Sequence, residues 1–503
     1  RSVTGVQTCA LPIWYGRIFR AEDIDRALAQ PDPYDALGYH PGNSAHGTHV
    51  MDIAAGSGHD GAAAGVAPEA DLIFVHLART TDVLGKGNLG DSASVLEALD
   101  FVFSEAAGHP VVVNMSVGAH GGPHDGTTLV EQGIDRAVSL GPGRAVINSS
   151  GNYFNAEAHV EGRVAQGESK ILGFVVPESD HTDSELELWY SSSDRLIVSV
   201  IGPSGDELAT VELGQDLPLE KDGRNFGRIY HHVRSTTNGD NQVDLFLRPG
   251  APGGAWKLRL RADTIHDGRY HAWIERDRGP RPRFSSTEAT TRSTTGTLCN
   301  GRLSIAVGAY DARSDDGDLG YFSSAGPTRD GRVKPELLAP GVSVRAARSS
   351  GLGESPRARY TKKSGTSMAA PHVTGATALM FEVAETPLEI SDTRAILFAS
   401  ADRVRFSGTS GAELHRLGYG CLDIAAAERL ARGWGKRAPE EPELEVAADE
   451  NPSTPIVVEN LMNTRVDDSV RCGDVLVRRA PYESLYYSAV IASAPESAED
   501  LAA

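Results

Sequence analysis

Between residues 71 and 152 short apolar runs alternate with amphipathic stretches, and that rhythm restricts the fold more than any other feature of the chain. DLIFVHLA (71–78), PVVVNMSVG (110–118) and RAVINSSGN (144–152) are apolar with little period-two alternation, the pattern of strands buried on both faces of a parallel sheet. SASVLEALDFVFSEA (92–106) and TTLVEQGIDRAVSL (127–140) carry apolar residues at helical spacing, and GTHVMDIAA (47–55) reads as a further helix. Strands alternating with helices predict βαβ units and an α/β fold built on a doubly wound, mostly parallel sheet. LSIAVGAYD (303–311) resumes the same rhythm.

The rhythm breaks near residue 156. KILGFVV, ELELWY, RLIVSVI, ATVEL, RIYHHV, QVDLFL, AWKLRLR and RYHAWIE follow one another with turn residues between them. Leu186, Leu188 and Tyr190 alternate with Glu185, Glu187 and Trp189, as in an antiparallel strand. Residues 156–290 are therefore read as an inserted antiparallel β-sandwich. It divides an α/β domain into 14–155 and 291–435. After Gly435 the sequence turns acidic and Pro-rich, so 436–503 reads as a largely flexible tail. Residues 1–13, RSVTGVQTCALPI, resemble a translated sequencing adapter and are set aside as foreign to the fold. On that reading the natural start lies upstream, with any signal peptide or propeptide.

The formal net charge is −20 over 503 residues, which argues against nucleic acid or an anionic membrane as the main partner. No run approaches the ~18 apolar residues of a membrane span. Cys9, Cys299, Cys421 and Cys472 are widely spaced, without a CxxC pair; they read as small buried hydrophobes.

Three segments carry chemistry: AHGTHVMDIAAG (45–56), AVINSSGN (145–152) and SGTSMAAPHVTGATALM (364–380). Serine is a weak nucleophile and needs a base. Ser367 opens an apolar helical stretch, where the dipole favours developing negative charge. His46 can take and return its proton near neutral pH. Metal ligation by His46 and His49 competes, but no HExxH or third ligand is in register; His49 and His372 read as structural. Asn152 follows Gly151 at a strand end and can donate a fixed amide hydrogen bond to an oxyanion, with Asn148 as the competing candidate.

Together these segments resemble the subtilisin-like serine protease family, supported by NMSVG (114–118), FSSAGPTRDGRVKPELLAPG (322–341) and LGYGCLDIAAA (417–427). The resemblance covers about 14–155 and 297–430. It implies Ser367 as nucleophile, His46 as base, and Asn152 with the Ser367 backbone N–H as the oxyanion hole. It also implies that Ser116, Val117 and Gly118 pair with an extended peptide, with Gly85–Gly87 flanking it, and that Ser149, Ser150 and Gly151 line the first specificity pocket. The expected reaction is peptide-bond hydrolysis through an acyl-enzyme.

One part of the family pattern is missing. An aspartate at the end of an apolar strand, followed by Ser or Thr and Gly, belongs upstream of the histidine. Asp23 and Asp25 lie in a helical stretch, and Asp32 and Asp35 in a Pro-rich loop. The chain is accordingly expected to be poorly active. The alternative is a non-catalytic protein-binding module on a protease scaffold. An esterase of the GxSxG type is excluded by the residues around Ser367. The chemistry requires no cofactor and no metal ligands are assigned. The resemblance implies that structural calcium is common in the family; no calcium-loop motif is found, and the acidic run Asp311 to Asp318, the place to look, reads first as a solvated turn. Polypeptide substrates, a monomer and secretion are the expectations for partners and location.

Overall fold

The computed structural model describes residues 3–8, 16–39, 45–58, 63–77, 92–275, 281–314, 317–349, 359–406 and 409–434. Gly85–Gly87, Cys9, Cys472 and the acidic tail lie outside these residues. Among them, no helix is long and apolar enough to cross a membrane.

The apolar runs form strands that are buried throughout. Leu337–Pro340, Ile305–Tyr310, Arg144–Ser149 and Val111–Met115 lie side by side in that order, and every neighbouring pair is parallel. A separate three-stranded sheet holds Val3–Thr8 between Arg17–Phe19, antiparallel to it, and Leu72–Val75, parallel to it. The one doubly wound sheet expected from the sequence is thus divided into two hydrogen-bonded pieces. Leu72–Val75 takes its ladder bonds from Val3–Thr8, which lies in the segment set aside as adapter-like.

Helices Ser92–Glu105, Leu129–Ser139, Thr366–Val383 and Ile390–Ser400 pack on the four-stranded sheet. One apolar core runs through them: Val112, Val146, Ile147, Ile305 and Val307 of the strands meet Val102, Ile134, Val373 and Met380 of the helices. A buried ionic knot ties the edge of this core. Lys334 Nζ lies 2.7 Å from Glu336 Oε1, and Arg394 Nη1 lies 3.2 Å from the same oxygen. Glu336 Oε2 accepts the backbone N–H of Ala306 at 2.8 Å. These partners explain why VKPE carries charge inside a core. Cys299 and Cys421 are buried free thiols.

From His159 to Phe284 the chain forms two antiparallel sheets of six and five strands. Their inner faces share one core of Leu186, Leu188, Val198, Leu245, Trp256 and Leu258. Three strands here have no counterpart in the sequence reading, the short Arg283–Phe284 among them. Asp216–Lys221 is an edge strand, polar and interrupted by Pro218, as edges tolerate. His159–Arg163 is the opposite edge of the same sheet.

Candidate active site

Met115 and Asn148 are partners at the ends of two parallel strands. The chain leaving those ends builds a cleft, as happens at the carboxyl edge of open α/β sheets. The cleft holds about 330 Å³ and is lined by His46, Ser116, Val117, Gly118, Ser149, Gly151, Asn152 and Ser367, with Tyr153, Gly296, Lys363, Ser364, Gly365 and Met368. Eight of the nine residues singled out in the sequence therefore meet at one place. The exception is Ser150. Its side chain is fully buried, its N–H bonds to Val307 O at 3.0 Å, and its carbonyl accepts from Gly296 N at 2.8 Å. It lies beneath the pocket and stitches the sheet.

Ser367 sits in the first turn of the helix Thr366–Val383. Pro371, four residues on, has no N–H, so the Ser367 carbonyl lacks its helical donor. Ser116 Oγ fills that vacancy at 2.9 Å. Ser116 Oγ in turn accepts from Asn114 Nδ2 at 2.9 Å, and Asn114 Oδ1 accepts from Thr374 Oγ1 at 3.0 Å. This chain of buried polar groups explains NMSVG: it locks the strand end onto the serine helix. Ser367 Oγ donates to Ser116 O at 3.4 Å.

Asn152 is fixed from the same helix. Its Oδ1 accepts from Thr366 N at 3.0 Å and from Thr366 Oγ1 at 3.2 Å. With Oδ1 taken, Nδ2 is the group that can donate into the cleft. Gly151 precedes it at φ +104°, where a Cβ would sit 2.9 Å from Ser324 Oγ, so glycine is required for the turn. Asn148 is fully buried, and its Nδ2 donates to Leu298 O; it is a strand residue that serves packing.

His46 opens the helix His46–Ala55. That helix approaches the serine helix closely because Gly375 has no side chain. A Cβ there would lie 2.9 Å from Ala54 O and 2.5 Å from Val66 Cβ. His49 is fully buried, with Nε2 near the carbonyls of Val344 (3.1 Å) and Thr361 (3.2 Å); burial lowers its pKa. Asp52 Oδ2 accepts the N–H of Ala347 at 2.7 Å. Both residues anchor the histidine helix on the hairpin Val344–Ala347/Tyr360–Lys363. His372 Nδ1 donates to Met368 O at 2.9 Å, and desolvation pulls its pKa down to about 4.

The upstream acids are engaged locally or exposed. Asp23 Oδ2 accepts from Arg20 N, and Asp32 caps the helix Pro33–Leu37; Asp25 and Asp35 are exposed. The strand Val3–Thr8, VTGVQT, contains neither Asp nor Glu. In the acidic run, the Asp311 carboxylate is paired with Arg313 at 2.9 Å.

The inserted sheets hold the loop that follows the cleft strand, which sequence reasoning missed. Ser184–Tyr190 is buried on both faces. Its Leu186 face joins the sandwich core, while its Glu187 face meets the α/β domain. Glu275 accepts the backbone N–H groups of His120 (2.7 Å) and Gly121 (2.5 Å), and Glu187 accepts that of Gly122 (3.0 Å). The loop directly after Ser116–Gly118 is thus held by two buried carboxylates of the insert. Arg329 adds a second tie, pairing with Asp125 at 2.6 Å and with Asp240 of the insert at 2.7 Å. The available signal was glutamate alternating with leucine in a strand that could have faced solvent.

A sequence model of the Subtilase family matches residues 21–168 and 224–420, more than half of the chain. The chain belongs to the subtilase family. This subtilase is 44% identical over 89 residues to Serine protease AprX of Bacillus subtilis, covering 16% of the chain and 20% of AprX. It is 24% identical over 375 residues to Minor extracellular protease Vpr of the same organism, covering 67% of the chain and 39% of Vpr. It therefore spans well under half the length of either relative. Among solved structures, the Clostridium perfringens CspB protease superposes with a TM-score of 0.72 at 23% identity, over 85% of this chain and 89% of that one. The likeness in fold is that of an α/β protease.

Proposed function

We propose that this subtilase is a serine endopeptidase that cleaves peptide bonds through an acyl-enzyme. Ser367 Oγ attacks the scissile carbonyl, and His46 takes the serine proton and returns it to the leaving amine. Asn152 Nδ2 and the Ser367 backbone N–H donate to the oxyanion. Ser116–Gly118 offers backbone groups to an extended substrate, so affinity rests on main-chain pairing more than on side-chain identity. The observation that carries this reading is the convergence of His46, Asn152 and Ser367, from three distant segments, on one cleft. The names of relatives such as Vpr, an extracellular protease, favour secretion.

Absence of a carboxylate from Val3–Thr8 leaves no aspartate there to fix the tautomer of His46 and stabilise its imidazolium. An Asp-ended strand in that place is expected to raise turnover. The test is casein cleavage by a variant in which residues 1–13 are replaced by an apolar strand ending in Asp-Ser-Gly. Release of new amino termini that disappears in the same variant carrying Ser367→Ala supports the proposal. Equal release in both contradicts it and leaves the protein-binding reading.

A further inference from the structure

His159 and Glu161 lie on the insert's first strand, and His271 and Trp273 on its last but one, Arg269–Ile274. The two strands are antiparallel neighbours, with Glu161 opposite His271 and His159 opposite Trp273. All four side chains therefore share one face. His159 Nε2 stands 3.1 Å from His271 Nδ1, and His271 Nδ1 stands 3.6 Å from Glu161 Oε2. The donor atoms of the three residues all lie within 4.8 Å of one another. Tetrahedral zinc with bonds of about 2.0–2.1 Å separates its ligand atoms by about 3.3 Å, so the two measured spacings bracket the required edge.

The surroundings are those of a built site. His159 is fully buried, and its other nitrogen, Nδ1, is 2.7 Å from Arg292 O. Nδ1–H donates to that carbonyl, which leaves the Nε2 lone pair facing His271, the outer-shell arrangement of metal-bound histidine. Arg292 Nε holds the far oxygen of Glu161, Oε1, at 3.3 Å, so Glu161 has Oε2 to offer. Trp273 stacks on both imidazoles, at 4.7 Å from His159 and 5.3 Å from His271. Glu161 and His271 are partly exposed, at 32% and 16% of the side chain, which leaves an open side for entry and for a water ligand.

We propose that His159, Glu161 and His271 form a binding site for a divalent transition-metal ion of the zinc type. The ion takes the place of the proton shared between the two imidazoles. It pins the first strand of the insert to its neighbour Arg269–Ile274. The same ring column continues from Trp273 to His124 at 4.2 Å, and from His120 to Tyr153 of the cleft at 4.3 Å. Metal occupancy therefore stiffens the junction between the insert and the catalytic cleft.

The test uses Co²⁺ and Zn²⁺ alone, added to the full chain after EDTA treatment and gel filtration. The expected result is visible absorption of low-coordinate Co²⁺ saturating at one equivalent, its displacement by Zn²⁺, and a melting temperature several degrees higher with Zn²⁺. His271→Asn and Glu161→Gln must each remove the band and the thermal shift, while His109→Asn, an exposed imidazole elsewhere, must keep both. Glu161 stands partly in solvent, so its variant decides the matter if His271→Asn does not fold. Absence of the band at millimolar Co²⁺, or a band unchanged in Glu161→Gln, overturns the assignment.

Discussion

Ser367 and His46 enter the same cleft from helices with different support. The serine helix is buried along most of its length, and its first turn is held by the Asn114–Ser116–Thr374 chain and by Asn152. The histidine helix leans on a hairpin through His49 and Asp52, and on the serine helix through the space left at Gly375. The nearby strand Val3–Thr8 carries no acid. The serine helix is thus held by buried polar groups and the histidine helix by a hairpin, and the orienting aspartate of the family pattern belongs to a further strand.

Supplying that strand should produce the largest change. In subtilisin, loss of the aspartate alone costs about 3 × 10⁴ in kcat. Replacing residues 1–13 by an Asp-ended strand is expected to raise kcat by about 10⁴, read as hydrolysis of a chromogenic peptide. A change below tenfold would mean that the two sides are already equal. Next is Asn152→Ala, expected to lower kcat in that restored background by about 10²–10³ with little change in KM. An effect on KM alone would make Asn152 a substrate-binding residue.

The packing differences are smaller. Ser116→Ala orphans two buried groups, Ser367 O and Asn114 Nδ2, and should cost about 1–3 kcal/mol in urea denaturation. Gly375→Ala drives a methyl into Ala54 O and Val66. It should cost about 1–3 kcal/mol and reduce turnover further by moving His46 away from Ser367. Normal turnover in Gly375→Ala would show that the helix spacing does not set the pair. The least effect is in the insert. Burial raises the Glu187 pKa above the ordinary carboxylate value, so its contribution to stability is full below the unfolded pKa and is lost as pH rises through the folded one. Glu187→Gln should therefore flatten the loss of stability as pH rises above the ordinary carboxylate range. An unchanged slope would show that another group carries it.

The sequence made the strands of the α/β part legible because each is an unbroken apolar run, and the motif residues legible because their spacing is contiguous. Ser150 was misplaced because alternation at a strand end decides which neighbour faces the cleft, and the turn at Gly151 resets it. Asp216–Lys221 escaped because an edge strand bonded to one neighbour needs no apolar pattern. The hold of Glu187 and Glu275 on the 120–122 loop was invisible because the partners are backbone N–H groups, which every sequence contains. The His159–Glu161–His271 cluster was invisible for a related reason. His271 lies more than a hundred residues from the other two and meets them only through the register of two strands.

The central claim is that Ser367 is a nucleophile activated by His46 in this cleft. The most direct measurement is fluorophosphonate labelling of the chain, read as intact mass and as the modified peptide. The account predicts one adduct on Ser367, formed slowly, faster once the Asp-ended strand is present, and absent from Ser367→Ala and His46→Ala. Labelling that persists in Ser367→Ala, or no adduct on Ser367 even with the Asp-ended strand, would contradict it.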